Sequence, residues 1–333
     1  MINNIYVKIK KIIKNNLKEL IIYLFLLLIL TFPLPYFIYV GGGLIDLEER
    51  IKLDSNERGT YHLAYVKQIR ATIPTYLISL INSKWEREEI AKSTIDDKEN
   101  ALDVLKRERL YLEEANNHAI INAYKLANKE ITIKENYYKI IYVHASSDTN
   151  VKVGDTLLSV NGKSVSNNAE YKNYLKSLKE GDKVSVKVLR NNKEVECYAK
   201  LISLNGEVVI GVYLVNIYDI KTSPEIELNF SQNESGPSGG FMLSLAIYDR
   251  LVDDDLTKGR KIAGTGTIDA LGNVGEIGGV KYKLMGAVKD KADIFFVPKE
   301  NYKEALMVKK KYNYQIDLVS VSNIQEAISY LEN

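Results

Sequence analysis

Cysteine is almost missing from this chain. Cys197 is the only one in 333 residues, which excludes an intrachain disulfide framework and any multi-cysteine metal cluster. Histidine is scarce too: His62, His118 and His144 lie far apart and show no metal-ligand spacing. No metal and no other cofactor is therefore expected. A formal net charge of +2, with no concentrated basic stripe, gives no reason to expect a nucleic-acid partner. Low-complexity segments and internal repeats are absent as well. What remains is an ordinary globular composition, 46% apolar and 26% charged. A chain of this length has room for two or three domains at a prior of about 150 residues each.

One stretch lacks charge altogether. Residues 20–40 read LIIYLFLLLILTFPLPYFIYV, and about 20 apolar residues in a helix span a bilayer core. Lys8, Lys10, Lys11, Lys14 and Lys18 precede the stretch, and Asp46, Glu48 and Glu49 follow it. By the positive-inside rule, residues 1–19 stay cytoplasmic, 20–40 form a single transmembrane helix, and everything after about residue 41 is exported. A cleaved signal peptide is the rival expectation. Against it, no small-x-small cleavage pattern stands near Tyr36–Gly43; for it, Pro33 and Pro35 can break the outer end of the helix.

Residues 41–135 are expected to hold strands and then helices. GTYHLAYVKQI and TYLISLI are rich in β-branched and aromatic residues, whereas residues 84–130 are charged with apolar residues at helical spacing. Between 136 and 204, the runs KIIYVHA, DTLLSVNG, KVSVKVLR and EVECYAKLI are separated by turn pairs such as Asn161-Gly162 and Asn191-Asn192. A helix, SNNAEYKNYLKSLKEG, interrupts them. The residues GDTLLSVNGKSV (154–165) and GDKVSVKVLRN (181–191) resemble a PDZ domain of the bacterial type. That resemblance implies a module that binds an extended peptide along a sheet edge. It implies the edge strand Ile140–His144, with Ile140, Ile141, Tyr142 and Val143 as peptide-binding residues. A module that only orients its neighbour is the alternative.

The stretch NESGPSGGFM (233–242) raises a chemical question. The alternation of EIELNF predicts a strand before it, and Phe241, Leu245, Tyr248 and Val252 predict a helix after it. Ser238 thus stands at a strand-to-helix junction, where unpaired backbone N–H groups can hold an anion. A phosphate loop would need a lysine after the glycines, and none follows. An α/β-hydrolase elbow would need its histidine after the serine, and all three histidines precede it. A serine activated by a neutral lysine is the remaining option. Lys281 and Lys283 both lie in the first turn predicted after Gly278-Gly279, where the helix dipole disfavours a cation. Spacing does not choose between them.

NESGPSGGFMLSLAIYDRL (233–251), KIAGTGTIDALGNVGEIGGVKYKLMGAVK (261–289) and ADIFFVP (292–298) together resemble the proteolytic domain of Lon-type Ser–Lys peptidases. The resemblance covers residues 205–333. It implies Ser238 as nucleophile and Lys283, the second lysine of Gly-Gly-x-Lys-x-Lys, as general base. It also implies Thr265 as the hydroxyl that holds the neutral amine, with Gly236, Pro237 and Gly239 shaping the turn. Two departures stand out: Ser235 replaces a common acidic residue three positions before the serine, and Gly239 replaces the usual alanine.

No Walker sequence occurs, so the unfolding ATPase of cytoplasmic Lon is missing. The order anchor, PDZ-like module, Lon-type domain resembles the membrane-anchored PDZ–Lon peptidases of Gram-positive bacteria. The expected fold is α+β: an N-terminal transmembrane helix, a β-rich PDZ-like module and an α/β proteolytic domain, with GTYHLAYVKQI lending strands to that domain. The expected function is ATP-independent endopeptidase cleavage of extracellular peptides or flexible protein segments, outside a single-pass anchor. Oligomers are common among Lon-type domains, so a homo-oligomer belongs to the expected partners. A membrane-tethered peptide-binding adaptor with a decayed peptidase domain is the alternative.

Overall fold

The computed structural model describes residue 10 and residues 13–53, 59–90, 99–165, 168–231 and 234–333. The chain divides into two units, residues 1–41 with 67–93, and residues 42–66 with 94–333. Two long strands, Pro33–Asp46 and Thr60–Thr72, each contribute residues to both.

In the smaller unit, helix α1 (Leu17–Thr31) has no buried residue. It exposes its leucines, isoleucines and Phe25 all round. Phe32 leaves the helix in extended backbone, because the residue before a proline is pushed away from α geometry. The apolar stretch expected as one helix over 20–40 therefore splits, with a strand from Pro33 onward. Among the described residues no helix is long and apolar enough to cross a membrane. Tyr36–Tyr39 pair antiparallel with Glu86–Glu89, and the Tyr39 hydroxyl donates to Glu88 at 2.6 Å. Helix α2 (Ile73–Ile81) starts from Thr72, whose N–H donates to Thr75 Oγ1 at 2.8 Å. This capping box supplies partners that the first helical turn lacks.

The larger unit is built on a sheet whose order runs Asp317–Val321, Ile294–Pro298, Lys261–Gly264, then residues 60–66 of the strand Thr60–Thr72 and residues 42–46 of the strand Pro33–Asp46. The first four pair in parallel, with Thr60–Leu63 beside Lys261–Gly264. The early segment of the chain thus lies in the same sheet as its last third. ADIFFVP has no polar alternation because both faces of its strand are covered. Ile294 and Phe296 pack into one core with Phe241, Leu245 and Ile328. Phe295 and Val297 pack into the other with Leu284 and Ala305. Helices α3 (Ala101–Leu126), α5 (Gly240–Leu251) and α8 (Ile324–Glu332) supply the first face. Helices α6 (Val280–Lys289) and α7 (Lys299–Lys311) supply the second. Asn100 caps α3, accepting from the Leu102 and Asp103 N–H groups at 3.0 Å each.

The same unit holds a seven-stranded sheet, ordered Val212–Ser223, Glu130–Val143, Thr156–Val160, Lys183–Arg190, Lys193–Lys200, Asp148–Thr149, with Lys163–Ser164 beside Thr156–Val160. Helix α4 (Asn168–Lys176) closes its core, where Leu175 meets Ile140, Val186 and Ile210. Asn191 and Asn192 both take positive φ, +50° and +60°, as a two-residue hairpin turn between Arg190 and Lys193 requires. This sheet runs past 136–204 on both sides. It takes in Glu130–Glu135 before and Val212–Ser223 after.

Candidate active site

The turn before Ser238 is set by its neighbours. Gly236 has φ +86°, the left-handed region that suits glycine, and its N–H donates to the Glu108 carbonyl of α3 at 3.0 Å. The Pro237 carbonyl accepts from the Gly240 N–H at 3.2 Å. A Cβ on Gly239 would come 2.7 Å from Leu63 Cδ2, so glycine at this departure lets the turn lie against the strand Thr60–Thr72. At the start of α5, the Gly266 carbonyl takes the Phe241 N–H at 3.2 Å. With the Gly240 and Phe241 N–H groups engaged, those of Ser238 and Gly239 remain at the helix entrance.

The strand Lys261–Gly264 delivers Thr265, which is fully buried. Its hydroxyl donates to the Ser238 carbonyl at 3.1 Å, and the Gly266 N–H donates to the same oxygen at 2.9 Å. Lys283 enters from the first turn of α6, 5% exposed. Its Nζ donates to Thr265 Oγ1 at 3.0 Å. Burial lowers its pKa from 10.5 to about 8, and the helix N-terminus acts in the same direction. Lys281, about 200° away around the helix, is half-buried with Nζ 5.0 Å from the centre of the Tyr282 ring. Two lysines that spacing leaves equivalent are thus separated by burial.

Ser238 and Lys283 line one cavity of about 810 Å³. In this structure the amine gives its hydrogen bond to Thr265, not to the Ser238 hydroxyl. Leu63 and Phe230 supply apolar wall, and Arg50, Glu108 and Glu234 supply charge. None of these five belongs to the sequence-based site. Arg50 donates to Glu234 Oε1 from Nε at 3.1 Å and from Nη2 at 2.7 Å. A carboxylate is therefore present one position before Ser235, already neutralised by a guanidinium fork. Glu234 lies within the quoted nucleophile stretch, but nothing in the sequence pairs it with Arg50.

The peptide-binding residues expected on the edge need correction. Ile140, Ile141 and Tyr142 are buried, and the backbone from Ile140 to Val143 pairs with Val212–Leu214. On the other side, the Ile140 N–H donates to the Asp155 carbonyl at 2.8 Å. These residues thus lie in an inner strand, engaged with Val212–Leu214 on one side and, at Ile140, with Asp155 on the other. The outer strand is Val212–Ser223. A groove of about 460 Å³ lies where its first residues approach α4, lined by Tyr171, Lys172, Leu175, Ile210, Val212 and Leu214. His144 N–H and Ser147 Oγ both donate to the Gly211 carbonyl, at 2.8 and 2.9 Å, and fix the start of that strand.

Residues 231–332 match the Lon protease (S16) C-terminal proteolytic domain, and residues 126–201 match the PDZ domain. Lon protease 2 of Borreliella burgdorferi is 32% identical over 117 residues, 34% of this chain and 14% of that protein. Lon protease of Mesomycoplasma hyopneumoniae is 33% identical over 98 residues, 29% of this chain and 11% of that protein. The chain thus spans only a small part of the length of these relatives. Among solved structures, the PDZ domain of the SdrC-like protein from Listeria monocytogenes is 25% identical with a TM-score of 0.22. It covers 26% of this chain and 93% of that one.

Proposed function

We propose that this chain is a serine endopeptidase in which Ser238 is the nucleophile and Lys283 the general base. One observation carries the reading: a buried amine with its pKa lowered to about 8 is joined through Thr265 to the carbonyl of Ser238 in a single cavity. The matched proteolytic domain supports it independently.

A base of this pKa holds an appreciable neutral fraction near neutral pH, where an ordinary lysine holds almost none. Thr265 Oγ1 accepts one amine hydrogen while donating its own to the Ser238 carbonyl, which orients the nitrogen lone pair. The Ser238 Oγ–H proton passes to Nζ as Oγ bonds to the scissile carbonyl carbon. The Ser238 and Gly239 N–H groups take the oxyanion. The C–N bond then breaks, and the departing amine takes the proton from Nζ. Lys283 Nζ then takes a proton from water as it attacks the acyl carbon, and returns that proton to Ser238 Oγ as the ester C–O bond breaks.

Substrates are flexible peptides or exposed protein segments, because these residues contain no Walker sequence to drive unfolding. Docking uses the groove between α4 and the strand Val212–Ser223, whose outer edge can add an extended chain. We place the enzyme on a membrane, catalytic part outside, held by the apolar segment 20–40. Its support is the all-round exposure of α1 and the lysines before it. Helix α1 alone is about 22 Å long, short of the bilayer core of about 30 Å, and a strand begins at Pro33, so the bilayer must thin around the anchor.

The test uses Ser238→Ala, Lys283→Ala and Lys281→Ala proteins on an unstructured casein-type substrate. The first two should fold and lose cleavage, and the third should retain it. Cleavage by Ser238→Ala refutes the nucleophile, and loss only in Lys281→Ala reassigns the base. A second reading, a peptide-binding adaptor without catalysis, draws on the amine's bond to Thr265 in place of Ser238. Any Ser238-dependent cleavage by the wild-type protein removes it.

A further inference from the structure

The strand Val212–Ser223 is the outer strand of its sheet, yet part of its outer edge is already occupied. The Asn216 N–H donates to Glu114 Oε1 at 3.3 Å, and the Tyr218 N–H donates to Asn117 Oδ1 at 2.7 Å. Both acceptors come from α3. Backbone groups alternate along a strand, so Val212 and Leu214 present their N–H groups on this same edge. Two inner contacts agree with that phase. The Gly211 carbonyl faces inward to the His144 N–H, and Ile140, opposite Leu214, turns its N–H away to Asp155. The groove beside α4 ends at Leu214, where the helix side chains take over.

We propose that α3 acts as a stop on the peptide-docking edge, so that the groove pairs with about three residues of an extended peptide and no more. The inference rests on the groove being the peptide dock. An antiparallel peptide exchanges hydrogen bonds with Val212 and with Leu214, two residues apart, making about four backbone bonds over three residues. The next pairing position is Asn216, whose N–H belongs to Glu114. Further residues of the bound segment must leave the sheet edge. The same helix gives the Glu108 carbonyl to Gly236, so a segment forcing past the stop would also disturb the support of the nucleophile turn.

The experiment is a length series on the full chain. Fluorescein-labelled peptides of three to seven residues share the carboxy-terminal residues Ser-Val-Val and grow at the amino end, the direction that meets the stop in antiparallel pairing. Fluorescence anisotropy should find affinity level, within about twofold, from the third residue onward. In the Glu114→Ala, Asn117→Ala double variant it should keep rising, by about fivefold for each backbone hydrogen bond gained. Glu114→Gln, which keeps the acceptor oxygen, should level off like wild type. Amide hydrogen exchange guards against a misfolded variant. Wild type should protect Asn216 and Tyr218 with or without peptide, and gain protection at Val212 and Leu214 only when peptide is bound. A wild-type affinity that climbs through seven residues overturns the stop, as does the same plateau in a folded double variant. No protection at Val212 and Leu214 with any peptide overturns the docking site itself, and leaves Ser238-dependent cleavage intact as a separate result.

Discussion

Replacing Lys283 with methionine should abolish cleavage and at the same time make the protein more stable at neutral pH. The amine is 5% exposed and its pKa falls from 10.5 to about 8 because burial disfavours the charged form. That difference corresponds to about 3 kcal/mol of folding free energy lost at pH 7. The sign follows from proton binding. Between pH 8 and 10.5 the unfolded chain holds this proton more tightly than the folded one, so the stability of wild type rises with pH across that window. The penalty is complete below pH 8 and gone above 10.5. Methionine has a similar length and no charge, but it leaves Thr265 without the hydrogen bond recorded at 3.0 Å, a loss of about 1 kcal/mol. The net gain at pH 7 is therefore about 2 kcal/mol. Urea unfolding by circular dichroism should raise the midpoint of the variant by roughly 1 M. Repeating the pair at pH 9 and 10.5 should shrink and then reverse the gap, with groups common to both proteins cancelling. A variant less stable than wild type at pH 7, or a gap unchanged between pH 7 and 10.5, would refute the buried, destabilised amine.

Three further outcomes follow from the same geometry. Thr265→Val removes the acceptor of Lys283 and one of two donors to the Ser238 carbonyl. It should lower kcat/KM about 100-fold, as expected for a lost positioning contact, whereas Thr265→Ser should recover most activity. The kcat/KM of wild type should rise through about pH 8 and then level off, following loss of the Lys283 proton; stopped assays across pH 6–10 check it, and a profile that falls from neutral to alkaline pH contradicts a lysine base. Gly239→Ala should cost about 1–3 kcal/mol of stability through the contact with Leu63, and Leu63→Ala in the same protein should return most of it, as read by urea midpoints.

How far the sequence discloses this arrangement depends on the kind of contact involved. The helix after Ser238 is legible because Phe241, Leu245 and Tyr248 keep one face over several turns. The hairpins at Asn161-Gly162 and Asn191-Asn192 are legible because each turn residue has the positive φ those types tolerate. Choices made by tertiary packing are not. Lys281 and Lys283 share a helical turn, and only the neighbouring strand decides which is buried. The apolar segment 20–40 satisfies a hydropathy window over its whole length, yet Pro33 and Pro35 end the helix at Thr31. The PDZ resemblance puts the continuous apolar run IIYV at 140–143 on an edge. Such a run signals a strand covered on both faces, and Ile140, Ile141 and Tyr142 are buried. The strand at its flank, Val212–Ser223, arrives about 70 residues later in the chain. The Arg50–Glu234 pair has the same origin: 184 residues separate its members.

Acylation reports on the covalent chemistry proposed for the Ser238 hydroxyl. An activated peptide ester is mixed with the protein, the reaction is stopped in acid within a turnover, and tryptic peptides are mapped by mass spectrometry. The wild-type protein should carry an acyl adduct on Ser238, and Lys283→Ala should carry none. Turnover of the ester with acylation at another residue, or an equal Ser238 adduct without Lys283, would contradict that chemistry.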